Sequence, residues 1–354
     1  MDGNPSKNDI FDLKGQSGGQ SRRRFLKALG MAGAGTAGLV NAIERAYGER
    51  PDGVPVVYTD DVYGNPERVR FVPKERHRRL MVYRNLPIQK FVDEYPKLNG
   101  VTLTQRSSDE TDLALKFLLD SNTATVRRKL PNRFKQMPIE YEEQPREKRP
   151  QSLEGGVNIG VEGSDAEGTV TVVAYDADTS ENVVITADHV TEGASQITYV
   201  GDSAADLAHR DTATDTTSYT VHSDTESDPL ATVNGIPDVT GAWHFAGLSD
   251  AVSSDTVPVQ LFGLGSGEVH DECTSTTRSS QVEYQADMSS HSTVDGDSGG
   301  PWVDDDGKLL ACHFGYDISL TLNKWSVGSV GRESLDAVNA MLAPMCVANS
   351  TSSC

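Results

Sequence analysis

Lysine and arginine are scarce in the C-terminal part of this 354-residue chain. Residues 151–354 contain five of them against 32 Asp and Glu, a net charge of −27, whereas residues 1–50 and 51–150 carry +3 and +4. Such an acidic region does not favour the phosphate backbone of nucleic acid, so we expect no nucleic-acid partner. The change of charge near residue 150 predicts a domain boundary.

Cysteine is sparse as well. The four cysteines all lie in the acidic part, at Cys273, Cys312, Cys346 and Cys354. No C-x-x-C pair exists, which argues against a structural zinc site, and we expect neither a metal nor a cofactor. Outside the cell, disulfides would be permitted, and four cysteines allow three pairings.

Long hydrophobic runs are missing too. Residues 28–42 form an apolar run of about 15 residues, shorter than the ~20 that span a bilayer, so we expect no stable membrane anchor. The run follows Ser21-Arg22-Arg23-Arg24-Phe25-Leu26-Lys27, which resembles the S-R-R-x-F-L-K signal of twin-arginine export. We predict that residues 1–44 are a disordered start and a signal peptide, recognised by the twin-arginine machinery, with a cleavage site near residues 40–42. A basic amphipathic helix is the alternative.

The acidic composition resembles that of proteins from salt-loving archaea. A charge of −27 on residues 151–354 repels itself in dilute salt. At 1 M salt the Debye length falls to about 3 Å, and this repulsion is screened. We therefore expect a protein that is secreted after folding and adapted to high salt.

Residues 296–301, with the sequence G-D-S-G-G-P, form the most informative motif. A serine between glycines is typical of a nucleophile on a tight turn, where backbone N–H groups can face a developing oxyanion. The same residues fit G-x-S-x-G of α/β-hydrolases, in which the acid and the histidine follow the serine. Only His313 follows Ser298, 15 residues on. That interval has no room for the strand, acid loop and helix of the α/β-hydrolase fold.

A histidine lies upstream instead, at the end of the apolar run 183–187. The order His, acid, Ser is that of chymotrypsin. Thr186-Ala187-Asp188-His189-Val190 resembles the T-A-A-H-C motif of the chymotrypsin/trypsin family, and residues 296–301 resemble the family's serine motif. The two motifs have the family's order, with 109 residues between His189 and Ser298.

This resemblance implies a serine endopeptidase that cleaves protein or peptide substrates through an acyl-enzyme. Ser298 would be the nucleophile and His189 its base. The family's acid stands at the start of a strand. Asp215, which enters the β-prone residues 216–221, fits that position best, and Asp211 of the D-x-A sequence 211–213 is the alternative. The backbone N–H groups of Gly296 and Ser298 would form the oxyanion hole.

The family pattern also suggests substrate contacts. It places Ser292 at the floor of the specificity pocket and the strand ending in His313 and Gly315 beside the substrate. A serine floor argues against a strong preference for Arg or Lys, and His291 and His313 could favour an acidic side chain. The alternative function is a protease-like domain that binds without cutting, although all three triad residue types are present.

The pattern of short strands predicts an all-β fold for residues 151–354, and the resemblance implies a two-barrel chymotrypsin-like domain with a C-terminal helix. Apolar runs predict strands at 169–174, 183–187, 197–200, 218–222, 257–264 and 281–288, and a helix over 332–342.

Residues 45–150 are expected to be a small α/β domain or a propeptide that ends in a linker at 144–150. Within this segment we predict strands at 69–72 and 80–83 and a helix from 108 to about 121. No I-V-G-G start precedes Asp297, so activation by pairing with a new N-terminus is not indicated.

Overall fold

The structure is a computed structural model that describes residues 10–12, 53–95, 98–119, 131–143, 147–150, 159–161, 167–199, 202–225, 227, 238–263, 266–279, 282–290, 292–294, 297–318 and 324–342. The predicted signal peptide at 1–44 lies outside these residues except for a short strand at 10–12. None of the helices in the described ranges is long and apolar enough to cross a membrane.

The part of the chain before residue 151 contains two helices and eight strands among its described residues. They are β1 (Ile10–Asp12), β2 (Val54–Asp60), β3 (Pro66–Val72), α1 (Lys74–Arg84), α2 (Ile88–Glu94), β4 (Leu98–Gln105), β5 (Leu113–Leu119), β6 (Arg133–Phe134), β7 (Met137–Glu143) and β8 (Glu147–Pro150). We call residues 53–143 the N-terminal unit and residues 151–354 the acidic domain.

The acidic domain begins with an antiparallel sheet that contains the histidine motif. Its elements are β9 (Ile159–Val161), β10 (Glu167–Gly168), β11 (Val172–Asp176), β12 (Asn182–Ala187), α3 (Asp188–Thr191), β13 (Gln196–Tyr199), β14 (Asp202–Asp211) and β15 (Thr216–Val221). The strand order is β10-β9-β13-β14-β15-β12-β11-β23, the last being a short C-terminal strand defined below. The β-branched residues of β12 and their almost complete burial explain why it lies inside this sheet.

The second half of the acidic domain forms a closed barrel, called the second barrel below, and the serine motif leads directly into one of its strands. Its elements are β16 (Gly241–Ala242), α4 (Phe245–Val252), β17 (Val257–Gly263), β18 (Gly267–Arg278), β19 (Gln285–Met288), β20 (Pro301–Asp304), β21 (Lys308–Ile318), β22 (Lys324–Val330), α5 (Gly331–Ala337) and β23 (Ala340–Met341). Strands pair in the order β17-β20-β21-β22-β19-β18, and β18 pairs again with β17. The all-β prediction is therefore confirmed for the described part of this domain.

The predicted C-terminal helix is present but short. It spans Gly331–Ala337, and the chain then returns to the first sheet as β23, which pairs with β11. The helical apolar spacing over 332–342 thus covers one helix and one strand. Strands predicted at 197–200, 218–222 and 257–264 correspond to β13, β15 and β17.

The N-terminal unit continues the sheet of the second barrel. β4 pairs with β18 at Thr102–Thr277 and Val101–Arg278, and β5, β7 and β6 extend the sheet from there. One cluster of buried apolar residues also includes side chains from both parts, among them Tyr83 and Phe245. The two parts therefore share a sheet and a hydrophobic core.

Two predictions within the N-terminal unit are wrong. The helix expected from 108 to about 121 is a strand, β5, and the strand expected at 80–83 belongs to helix α1. β5 is buried on both faces, so nearly every position is apolar and the sequence loses the alternation that marks an exposed strand. A short apolar run of this kind does not separate a buried strand from a helix.

The burial of β5 generates a stability prediction. Phe117 is fully buried, whereas its neighbour Lys116 is partly exposed and pairs with Glu142 at 2.9 Å. We expect Phe117→Ala to lower the free energy of unfolding by about 3–5 kcal/mol through lost burial and a cavity. Lys116→Ala should cost under about 1 kcal/mol. Urea denaturation of both variants in high salt measures this, and equal small losses would contradict the placement of Phe117.

Candidate active site

His189 lies where strand β12 passes into the one-turn helix α3. Its ring Nδ1 is 2.7 Å from Asp215 Oδ2. Its backbone N–H donates to the other oxygen, Asp215 Oδ1, at 3.0 Å. One carboxylate thus holds both the ring and the backbone of the histidine, which fixes the ring's orientation. A proton on Nδ1 leaves Nε2 free to act as a base.

Asp215 precedes β15, the strand that pairs with β12, and this pairing places its carboxylate beside His189. Its own backbone has φ of 49°. Non-glycine residues seldom adopt this left-handed conformation, and Asp is among the few that tolerate it. Its carbonyl oxygen also accepts from Asp188 N at 3.1 Å. The turn is therefore tied to the histidine segment at several points.

Asp211, the alternative acid, has a local role. Its Oδ1 accepts the backbone N–H groups of Ala213 and Thr214, both at 2.9 Å. This is the usual way in which an aspartate closes a turn with its own backbone. Of the two candidates, Asp215 contacts His189.

Ser298 sits on a turn that two other segments hold in place. Its carbonyl oxygen accepts from Thr169 N at 2.9 Å, and Gly299 N donates to the His313 carbonyl oxygen at 2.7 Å. Gly299 has φ of 90°, and a Cβ on it would lie 1.9 Å from the Thr169 carbonyl oxygen. Only glycine fits there, which explains why the motif has glycine at position 299.

Two polar atoms of this site are buried without a hydrogen-bond partner in the described structure: Ser298 Oγ and His189 Nε2. Buried polar atoms without a partner are uncommon and often mark a functional site. They are also the two atoms that a serine nucleophile and its base would use. In serine hydrolases the hydrogen bond between the serine hydroxyl and its histidine is often long in the free enzyme and shortens when substrate binds.

Behind the serine turn lies a second polar contact that the sequence did not predict. The Thr171 hydroxyl donates to the Gly299 carbonyl oxygen at 2.5 Å and lies 2.9 Å from Cys312 Sγ. Since the hydroxyl proton goes to the carbonyl, the thiol must donate to Thr171. Burial raises the pKa of Cys312 to about 12, which keeps this thiol protonated. Cys312 and Cys273 are both buried free thiols.

Asp297, the residue before the nucleophile, is fully buried. Its Oδ2 accepts from Val294 N at 2.8 Å and its Oδ1 from Ser266 N at 3.1 Å. These backbone N–H groups satisfy the carboxylate from within the acidic domain. The contacts also connect the serine turn to the chain that follows β17.

The residues predicted for the substrate pocket have different surroundings. Ser292 is exposed, and its hydroxyl lies 3.0 Å from that of Ser290. The His313 ring is fully buried, and its Nδ1 accepts from Trp302 Nε1 at 3.3 Å. Gly315 lies on β21 opposite Pro150. Gly296 and His291 lie outside the described residues.

A charge pair next to the histidine was also missed. Asp188, directly before His189, is buried and accepts two hydrogen bonds from Arg210, at 2.5 and 2.9 Å. A guanidinium that binds a carboxylate with two nitrogens gives a strong, oriented pair. Arg210 balances a second carboxylate near Asp215. The sequence could have drawn attention to Arg210, because it is one of only five Lys and Arg residues after residue 150. No cluster of potential metal ligands occurs among the described residues.

Comparison with known proteins gives matches to solved structures alone. No family model and no curated protein matches the chain. A glutamic-acid-specific serine protease, described as using a histidine triad in substrate binding, is 14% identical; the match covers 53% of this chain and 99% of that one, with a TM-score of 0.43. A Nocardiopsis protease is 14% identical, with 53% and 97% covered and a TM-score of 0.40. A Cellulomonas bogoriensis chymotrypsin is 16% identical, with 54% and 98% covered and a TM-score of 0.39.

These structural neighbours are proteases by name, and the matches span about half of this chain. Identities of this size do not establish an activity, a substrate or a site residue.

The contacts of the two aspartates predict a clear difference in reactivity. We expect Asp215→Asn to slow labelling of Ser298 by a fluorophosphonate by about 10⁴-fold, the scale of loss when a triad aspartate becomes an amide. The amide can donate to Nδ1 and so favours the wrong tautomer of His189. Asp211→Asn keeps an oxygen for its turn and should react at nearly the parent rate. Similar rates for both variants would contradict the role of Asp215.

Proposed function

We propose that this protein is a serine endopeptidase. The observation that carries the proposal is the Asp215–His189 contact of 2.7 Å, with His189 Nε2 and Ser298 Oγ both buried and unpartnered. An oriented imidazole and a serine on a glycine turn are the parts that acyl transfer requires.

The proposed reaction follows from these positions. His189 Nε2 takes the proton of Ser298 Oγ as the oxygen attacks the scissile carbonyl, and Asp215 stabilises the imidazolium that forms. The backbone N–H groups of Gly296 and Ser298 would donate to the oxyanion, each worth on the order of 10²–10³ in rate. His189 then returns the proton to the leaving amine. Water attacks the acyl-enzyme in the second half of the cycle. The reaction uses no cofactor.

We further propose that strand β21 binds the peptide substrate. At His313 its edge pairs with the serine turn, through His313 N to the Gly300 carbonyl at 2.8 Å and Gly299 N to the His313 carbonyl at 2.7 Å. From Gly315 onward the same strand pairs with β8. A peptide added as a strand along residues 315–318 would therefore run directly towards Ser298. Strand addition supplies affinity through backbone hydrogen bonds.

In the uncut chain β8 takes that place. Its register sets Pro150 opposite Gly315 and Glu147 opposite Ile318, antiparallel to β21. β8 thus runs towards the serine turn. We propose that residues 147–150 block the substrate strand until the chain is cut shortly after residue 150.

We also propose that the enzyme works outside the cell and in high salt. The twin-arginine pattern at residues 21–27 supports export of the folded protein and action outside the cell on protein or peptide substrates. The excess of 27 negative charges in the acidic domain supports work in high salt. An acidic surface of this kind also disfavours nucleic acid as a partner.

Replacement of the nucleophile tests the activity. We expect Ser298→Ala to abolish turnover of casein in high salt, because the variant lacks the hydroxyl that the proposal makes the nucleophile. Labelling by a fluorophosphonate should disappear in the same variant. Ser254→Ala, which changes an exposed serine between α4 and β17, is the matched control and should keep labelling. A parent protein that resists the label would favour the alternative of a domain that binds without cutting.

The direction of β8 predicts where the chain is cut. N-terminal sequencing of the active protein should find a new terminus between residues 151 and 158, the interval between β8 and β9. The Ser298→Ala variant should stay uncut if the protein processes itself. An active protein in which no chain begins between residues 151 and 158 would contradict the blocking role of β8.

A further inference from the structure

We infer that the N-terminal unit, residues 53–143, is a permanent part of the folded enzyme and stays bound to the acidic domain after the cut beyond residue 150. The inference rests on the proposed function only for the cut itself. Its structural basis is the interface between the two parts, which includes a shared sheet, a shared core and buried ion pairs.

The backbone contacts are those of one folded body. Besides the pairing of β4 with β18, Tyr83 Oη donates to the Thr276 carbonyl oxygen at 2.8 Å. On the other side of the unit, His244 N donates to the Tyr58 carbonyl oxygen at 2.9 Å. Gly247 approaches strand β2 so closely that a Cβ would lie 2.4 Å from Tyr58 Cα. Both edges of the unit are thus fitted to the acidic domain.

Apolar side chains meet between these edges. The ring of Tyr83 lies 5.4 Å from that of Phe245, and the ring of Tyr58 lies 5.9 Å from that of Trp243. All four side chains are buried. Loss of the unit would expose Phe245 and Trp243 to water, which is unfavourable for large apolar side chains.

The centre of the interface is a buried ionic cluster around Asp250 on helix α4. Asp250 is fully buried and pairs with Arg76, which is also fully buried. Arg70 Nη1 lies 3.1 Å from Asp250 Oδ2, and the Tyr58 hydroxyl donates to the same oxygen. Three groups of the N-terminal unit therefore satisfy one carboxylate of the acidic domain. A buried charge without its partners is strongly unfavourable.

In a second buried cluster the acidic domain supplies the cations and the N-terminal unit supplies the carboxylates. Lys308, fully buried at the start of β21, pairs with Glu67 of the N-terminal unit and donates to the Asp60 carbonyl oxygen at 3.1 Å. The Asp60 carboxylate lies 3.4 Å from Arg332 and 3.2 Å from His244. The acidic domain thus uses two of its few cations to bind carboxylates of the N-terminal unit.

Burial makes these contacts less sensitive to salt than ion pairs on the surface. Ion pairs on the surface are screened within a few ångströms at molar salt, whereas buried pairs are screened much less. A unit held by Asp250 and Lys308 therefore stays bound under the conditions that the acidic composition suits. A segment destined for release would more easily be held by exposed charges.

The state of the active enzyme tests the inference. After processing, the protein is passed through a gel-filtration column in 2–4 M salt and its fragments are identified by mass under denaturing conditions. We expect a fragment containing residues 53–143 to co-elute with the fragment that carries the fluorophosphonate label on Ser298. A labelled, active enzyme without residues 53–143 would overturn the inference.

A second measurement does not depend on catalysis. The uncut Ser298→Ala chain should unfold in one cooperative transition that reports on both parts.

Asp250→Asn leaves Arg76 buried beside a neutral group and should lower the melting temperature by on the order of 10 °C. Arg78→Gln removes a surface pair with Glu75 on helix α1 and is the matched control, with little change expected. Two separate transitions, or an unchanged melting temperature for Asp250→Asn, would overturn the inference. A failure of the proposed function would instead appear as a parent chain that resists the label yet melts in one transition.

Discussion

The edge of strand β21 is the feature on which the candidate site depends. The opposite edge of the strand pairs with β22. This edge pairs with β20, and at His313 its backbone fixes the serine turn. Two residues further on, the same edge accepts β8. A nucleophile and a peptide that share one strand edge have a fixed relative position, because backbone hydrogen bonds set the register. This arrangement orients a bound strand towards Ser298 without any contribution from side-chain chemistry.

The charge distribution explains how two parts of opposite sign form one body. The N-terminal unit brings Arg70 and Arg76 to the buried Asp250, and the acidic domain brings Lys308 and Arg332 to Glu67 and Asp60. Arg278, a third scarce cation of the acidic domain, donates to backbone carbonyls of Arg84 and Leu86. Three of the five basic residues after residue 150 thus contact the N-terminal unit.

The sequence predicted the elements whose periodicity and motifs are local. The β12 run, the position of His189 at its end and the turn around Ser298 follow from residues that are neighbours in the chain. The contact between His189 and Asp215 could be proposed only through the family pattern, since it depends on the pairing of β12 with β15. Strand β5 was mistaken for a helix because it lies between β4 and β7 inside the sheet and both of its faces are buried, which no local pattern reveals. The roles of Thr171 and Arg210 depend on tertiary contacts and were not predicted.

A site proposed to work in concentrated salt cannot rely on exposed charge. The serine turn meets this need through short, buried hydrogen bonds: Thr169 N to the Ser298 carbonyl, the Thr171 hydroxyl to the Gly299 carbonyl, and the Asp297 carboxylate to two backbone N–H groups. Such bonds are strengthened by the low dielectric of the interior and are little affected by ions. Cys312 contributes as a neutral thiol donor, and a disulfide at this position would remove the donor that Thr171 accepts from. Polar groups buried with their partners thus hold both the serine turn and the N-terminal unit in place.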